Sequence, residues 1–468
     1  MTHPFSLGAA EAAAVMAAQA RGAAPGLRVT RGSIDSRTLQ AGDLFFAIRG
    51  PRFDGHDFLT DAVGRGASGL VVSEPAALGT VPDTVPAFLV GDTVAALQAL
   101  AAEIRRRSGA RLVAITGSAG KTTTKEITAA LLEVRYLTLR NRGNLNNHLG
   151  LPLSLLELTA GAEVAVMELG MNHAGEIRRL VEIAAPDVRV WTNVGTAHLE
   201  YFGTQDAIAD AKAEILAAAG GGAVFVANAD DPRVMARAAG FPGRTVTFGI
   251  DAGADVRATR IEDGGFDGLR AIVHTEAGDT AIASPLPGRA HLLNVLAAMA
   301  VALEAGIPLD AMPPRIAALR PSAHRGEVRH LARDVVVVDD AYNASPGALQ
   351  QLLSVAGHDQ SGRRRVAFLG EMLELGPASG ALHEECGRAA AAAGVAALVT
   401  VGGEASWALG EAARAAGLPT GSVRHLATSD EAAAHLAEVV RPGDLVLVKG
   451  SRGTRMERVV ERLVEEFD

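Results

Sequence analysis

Short aliphatic runs recur along the chain and stop abruptly at glycine or polar residues. "RLVAIT" (111–116), "EVAVMELG" (163–170), "PDVRVWTNVG" (186–195) and "AVFVANAD" (223–230) are rich in β-branched residues, and helical patterns separate them. Strand–helix alternation predicts a parallel sheet, with ligand groups at the carboxyl ends of its strands. Residues 244–287 read differently. "RTVTFG", "ADVRATRI", "LRAIVHT" and "TAIASPL" are short strands with turn signals between them, an expected antiparallel patch, and "HLLNVLAAMAVALEAG" returns to helix. A later stretch alternates again through "DVVVVDDAY", "RRRVAFLGEM", "AALVTVG" and "DLVLVKGSR". An earlier one has short strand patterns at 43–48, 69–74 and 87–92, then the helix "TVAALQALAAEIRRR", whose arginines suit the negative end of the helix dipole. The chain divides into blocks at 1–108, 109–328 and 329–468.

The 468 residues fit about three domains, and 48% apolar content allows large cores. A net charge of -9 argues against nucleic acid as partner. The single cysteine, Cys386, excludes a disulfide framework. The start of the chain lacks a basic region before its apolar stretch, and later apolar runs are interrupted by charge or glycine. A cytoplasmic protein without membrane insertion is therefore expected.

The chemistry concentrates at predicted strand ends. "TGSAGKTTTK" (116–125) resembles a phosphate loop, G-x-x-x-x-G-K-[ST], but Ile115 stands where the first glycine belongs. Gly117 and Gly120 would let backbone N–H groups approach phosphate, Lys121 would reach the β- and γ-phosphates, and Thr122 would ligate Mg²⁺. Glu168 closes a strand of the same sheet, where a carboxylate is either a hard-metal ligand or a solvated strand-end acid. His198 follows another strand end, as a structural histidine or a metal ligand. Lys212 reads as a surface lysine on an amphipathic helix. Asn141, Asn144, Asn146 and Asn147 share one loop, offering donors and acceptors to a ligand rich in amides and hydroxyls. Asp339, Asp340, Tyr342 and Asn343 end a third-block strand, and Lys449, Ser451 and Arg452 follow another.

Taken together, "GSAGKTTTKE", "GNLNNHLGLPLSLL", "ELGMNHAGEI", "AHLEYFG", "AKAEIL", "DDAYNASPGAL", "GEMLELG" and "VLVKGSRG" follow the motif order of the Mur ligases, and "DSRTLQAGDLFFAIRGPRFDGHDF" is similar to that family's UDP-binding domain. The shortened phosphate loop is a trait of that family. The resemblance implies an α/β chain of three domains: a small N-terminal α/β domain for the UDP-sugar-peptide, a central P-loop ATPase with a mostly parallel sheet, and a C-terminal Rossmann-like ligase domain. It implies an ATP-dependent carboxylate–amine ligase of peptidoglycan precursor synthesis that joins D-alanyl-D-alanine to UDP-N-acetylmuramoyl-tripeptide through an acyl phosphate, and a monomer. Position by position, Lys121 would bind the γ-phosphate, with Gly117, Gly120 and Thr123 around the phosphates and Thr122 on one Mg²⁺. Glu168, His198 and a carbamylated Lys212 would hold a second Mg²⁺. Asn294 would contact adenine, and Arg325, Asp340 and Asn343 would face the nucleotide. Ser36, Arg37, Asn146 and Asn147 would touch the UDP-sugar-peptide. The chain departs from the pattern at Ala290 and His291, where the family often has His-Asn, and at His324, where a glycine often stands.

Three competing readings are separable. The ligase that adds diaminopimelate or lysine usually carries "DNPR" and "DYAHTP"; "DNPR" is absent and "DDAYNASP" occupies the other place. Folylpolyglutamate synthase lacks the UDP-binding domain suggested by residues 33–58. A non-catalytic regulator predicts erosion at Lys121, Glu168, His198 or Lys212, and all four are intact.

Overall fold

The structure, a computed structural model, describes residues 4–22 and 26–468. Its centre is a nine-stranded sheet. Strands Arg111–Thr116, Val164–Glu168, Val188–Trp191 and Val224–Asn228 run parallel within it and are buried almost throughout. Cover on both faces is what near-continuous aliphatic runs demand. The register sets Glu168 beside Ile115 and Trp191 beside Thr116, so the carboxyl ends of three neighbouring strands open at one edge.

The expected antiparallel patch is smaller than the sequence suggests. Arg244–Gly249 pairs parallel with Val224–Asn228, because helix Pro232–Ala238 intervenes as a crossover. Among the described residues, antiparallel pairing in this sheet is confined to strands Val256–Asp263, Leu269–Thr275 and Gly278–Ser284. They extend the parallel sheet rather than forming a separate one.

A five-stranded sheet precedes the central one, and a six-stranded sheet follows it. The last is parallel apart from its edge strand Glu327–His330, and it pairs Asp340 at the end of Val336–Asp340 with Lys449 at the end of Leu445–Lys449. Helix Thr93–Ser108, at the end of the first block, shares one core with both neighbours: Leu97, Leu100 and Ile104 pack with Phe46 and Phe88 on one side and Leu112, Leu155 and Ile177 on the other. Among the described residues no helix is long and apolar enough to cross a membrane.

The arginines ending that helix divide their work. Arg106 and Arg107 pair with Glu103 on its surface. Arg105 is buried and does more than complement a dipole. It donates to the carbonyls of Ala184 (2.8 Å), Ala185 (3.0 Å) and Ala110 (2.9 Å) and to Asp187 Oδ2 (2.8 Å). It thereby satisfies the carboxyl end of helix Glu176–Ala184, whose C-cap Ala185 is left-handed. Arg105→Ala strands those buried acceptors and is expected to destabilise the chain by about 3 kcal/mol, while Arg106→Ala stays within about 0.5 kcal/mol. Calorimetric melting of the two variants checks the contrast.

Candidate active site

Strand Arg111–Thr116 feeds the loop Gly117–Gly120, and helix Lys121–Leu132 leaves it. Both glycines are required. A Cβ at Gly117 (φ 151°) would stand 1.9 Å from Thr192 Oγ1, and one at Gly120 (φ 80°) would stand 2.4 Å from Asn294 Oδ1. Two loop amides point inward: Ser118 N–H donates to the Asn193 carbonyl (3.0 Å) and Ala119 N–H to Asn193 Oδ1 (2.9 Å). The amides left to face an anion are therefore those of the helix's first turn, which have no intrahelical acceptor. Ser118 Oγ is buried in the cradle and unpartnered among the described residues. The Lys121 ammonium folds back onto the carbonyl of Gly117 (2.8 Å). Burial pushes its pKa below the ordinary value, Glu168 opposes that, and Arg325 adds to it. An anionic phosphate fits this set on charge and donor count.

Glu168 is buried and doubly bonded. Thr122 Oγ1 donates to Oε2 (2.7 Å) and Asn146 Nδ2 to Oε1 (2.8 Å). Asn141 clamps its backbone from both sides: Glu168 N–H donates to Asn141 Oδ1 (2.9 Å), and Asn141 Nδ2 donates to the Glu168 carbonyl (3.1 Å). Lys125, fully buried on the loop helix, donates to the Asn141 carbonyl at 2.6 Å. The asparagine loop is thus tied to the phosphate loop. A hydroxyl and a carboxylate at one strand edge form a hard oxygen set that fits Mg²⁺.

His198 has φ 66° and stands at the N-cap position of the short helix Leu199–Phe202, without a capping side-chain bond. Its Nδ1 meets Glu374 Oε2 at 2.7 Å. Burial holds its pKa below the ordinary histidine value, Lys121 and Lys212 push the same way, and Glu374 opposes them. A neutral imidazole suits metal ligation. The reading of Lys212 as a surface lysine is overturned. It is 1% exposed, on helix Gln205–Ala213, and no carboxylate among the described residues lies within ion-pair distance. Burial first, then Lys121, lowers its pKa well below that of an ordinary lysine. Periodicity misled because Ala209, Ala211 and Ala213 surround it, and alanine marks neither face of a helix.

The third block closes over this edge. The Arg325 guanidinium stacks on the Tyr342 ring at 4.0 Å, and Arg452 lies over the same ring at 5.1 Å. Lys449 pairs with Asp340 and donates to the Asn343 carbonyl (3.1 Å). The Asn343 side chain is exposed and accepts from Ala344 N–H. Ser451 Oγ accepts from Leu373 N–H (2.9 Å). A cavity of 230 Å³ runs from Thr123 to Arg325, lined also by Ile127, His291, Arg315 and Leu319. His291 Nδ1–H donates to the Pro287 carbonyl (2.7 Å), which leaves Nε2 as an acceptor. Asn294 does not line this cavity. It accepts from Thr124 Oγ1 (3.2 Å) and packs on Gly120. His324 has φ 59°, the region glycine favours, and holds Asp339 Oδ2 through Nδ1 (2.8 Å).

Lys121, Thr122, Glu168, His198, Lys212 and Arg325 are thus brought together. Ser36 is buried after strand Gly32–Ser33, and exposed Arg37 pairs with Asp35. Among the described residues no hydrogen bond or ion pair ties either to that group. Asn147 Oδ1 accepts from Leu149 and Gly150 N–H, fixing the start of helix Gly150–Leu156. Sequence reasoning assigned no role to Lys125, Asn193 or Glu374. The motif "GEMLELG" contained the last, but nothing in it pointed to His198.

The chain matches the Mur ligase family catalytic domain over residues 28–133, the Mur ligase middle domain over 115–302 and the Mur ligase glutamate ligase domain over 324–452. It is 37% identical to the UDP-N-acetylmuramoyl-tripeptide–D-alanyl-D-alanine ligase of Escherichia coli (strain K12), across 92% of this chain and 93% of that one. A crystal structure of MurF from Acinetobacter baumannii superposes with a TM-score of 0.88 at 32% identity, covering 99% of each chain. MurF from Thermotoga maritima in complex with ADP superposes at 0.81 with 32% identity, covering 94% of this chain and 98% of that one. By sequence and by architecture, the chain belongs to the Mur ligase family.

Proposed function

We propose that the protein is an ATP-dependent ligase that joins D-alanyl-D-alanine to UDP-N-acetylmuramoyl-tripeptide in the bacterial cytoplasm, in the synthesis of peptidoglycan precursors. The observation that carries this reading is likeness to ligases of that name across 92% of the chain, with the phosphate loop, Glu168, His198 and Lys212 converging at one sheet edge. The ligase adding diaminopimelate or lysine fits less well, because "DDAYNASP" replaces that enzyme's motif.

A carboxylate is a poor electrophile, and phosphorylation gives it a leaving group. The terminal carboxylate of the tripeptide attacks the γ-phosphorus of ATP, and ADP leaves. The neutral amine of the dipeptide then adds to the acyl phosphate carbon, phosphate departs from the tetrahedral intermediate, and the amine gives up its proton. Lys121 neutralises the γ-phosphate, and the first-turn amides with Ser118 Oγ hold its oxygens. Thr122 and Glu168 would hold one Mg²⁺, and Glu168, His198 and Lys212 a second. Bound there, the ions offset the phosphate charge that would otherwise repel the attacking carboxylate. Arg325 caps the phosphates, and the cavity beside Thr123 and His291 takes the base. Asn294 supports the loop at Gly120, next to that cavity.

Lys212 fits carbamylation on physical grounds. Its amine is buried, unpaired and repelled by Lys121, so the neutral form that attacks CO₂ is favoured. The amine adds to CO₂ and loses a proton, and the resulting carbamate carries the negative charge a metal ligand needs.

Phosphate release from purified protein tests the reading. It should require ATP, Mg²⁺, UDP-N-acetylmuramoyl-tripeptide and D-alanyl-D-alanine together. Release that is indifferent to the dipeptide would overturn it. Lys121→Ala should lower kcat about a thousandfold while UDP-peptide affinity, read by calorimetry, stays near that of the parent. Lys212→Ala should lose activity about a hundredfold or more and regain part of it with formate or acetate, which supply the missing carboxylate. Lys212→Met, lacking a buried amine, should melt no lower than the parent while remaining inactive.

A further inference from the structure

Segment 371–376 of the C-terminal domain reaches out to the His198 corner. Its base is pinned within its own domain. Glu371 N–H donates to the Val401 carbonyl (2.8 Å), Met372 N–H to His383 Nε2 (2.9 Å) and Leu373 N–H to Ser451 Oγ (2.9 Å). Its tip contacts the central domain. The Glu374 carbonyl accepts from Glu200 N–H (3.0 Å), and its side chain meets His198 Nδ1 at 2.7 Å. A Cβ at Gly376 would stand 3.1 Å from the Glu200 Cα, a tight backbone approach. His198 (φ 66°) and Glu374 (φ 63°) both occupy the left-handed region, which other residues than glycine enter at a cost. A strained residue on each side of a domain boundary, joined by one hydrogen bond, has no part in either core.

A carboxylate can only accept, so Nδ1 carries the proton and Nε2 keeps its lone pair. We propose that Glu374 is the positioning residue of His198: from the C-terminal domain it fixes the ring's tautomer and aim, so that the imidazole ligand of the metal site is completed only when that domain is docked. This rests on the reading of His198 as a metal ligand. Outer carboxylates on ligating histidines set ring orientation and basicity, and their loss weakens metal binding by about 10–100-fold. Here that partner comes from a different domain, which links docking to metal affinity.

Mn²⁺ binding to the full chain in the presence of ADP, followed by electron paramagnetic resonance, tests this. The parent should bind two ions. In Glu374→Ala the second should bind about 10–100-fold more weakly, kcat should fall, and the KM for the UDP-peptide should stay within about twofold. Glu374→Gln, whose side-chain carbonyl still accepts from Nδ1–H, should recover most of the affinity, which a merely structural loss would not allow. Added to His198→Ala, Glu374→Ala should have no further effect on Mn²⁺ binding. Parent-like Mn²⁺ binding in Glu374→Ala, or an equal further loss in the His198→Ala background, overturns the proposal. Parent-like binding in His198→Ala alone would instead overturn the assignment of His198 as ligand.

Discussion

Like charges held together at the strand edge set the terms for everything around them. Burial and then Lys121 lower the pKa of Lys212, burial and Arg325 lower that of Lys121, and Glu168 is the carboxylate that opposes the shift at Lys121. A buried cluster with surplus positive charge is costly unless anions join it. Each anion of the proposed reaction would answer that surplus: a triphosphate at Lys121, a carbamate on Lys212 and the substrate carboxylate. The protein meets the cost by rigidity elsewhere. Asn141, Lys125 and Asn193 bond the loop, the asparagine segment and the strand ends into one frame. The phosphate loop and the Glu168 strand end are thereby held together, and in the proposed reaction that frame would keep the field aimed where charge develops.

The domains contribute unequally to that point. The central sheet supplies the phosphate loop and the residues fit to hold metal. The C-terminal sheet supplies groups that arrive from outside, with Asp340 and Lys449 paired at its strand ends and Tyr342 beneath the Arg325 guanidinium. His198 sits where both meet. A ligase that must exclude water from an acyl phosphate benefits from a site that is finished only by docking.

Much of the fold was legible because buried parallel strands leave uninterrupted aliphatic runs. "RLVAIT", "RTVTFG" and "LRAIVHT" became strands over their full lengths. The direction of Arg244–Gly249 was not legible, since the difference lay in the crossover helix before it and not in the strand itself. Within the site, Gly117, Gly120, Lys121 and Thr122 announced themselves through the spacing of the loop, whereas Glu168 stayed open between a metal ligand and a solvated strand-end acid. The burial of Lys212 was not legible, because flanking alanines hide which way a helix faces. Glu374 lies far from His198 in sequence, and no local pattern encodes such a partnership. His324 shows the converse: a departure from the family's glycine that the structure explains through its bond to Asp339.

The central claim is that one cradle of backbone amides, one ammonium and two divalent ions converge at this edge. A crystal structure with a non-hydrolysable ATP analogue and Mn²⁺, read for anomalous scattering, tests it most directly. The account predicts the triphosphate on residues 117–122, one manganese between Thr122 and Glu168, and a second beside His198 and Lys212. A triphosphate bound elsewhere, or manganese absent from both places, would contradict it.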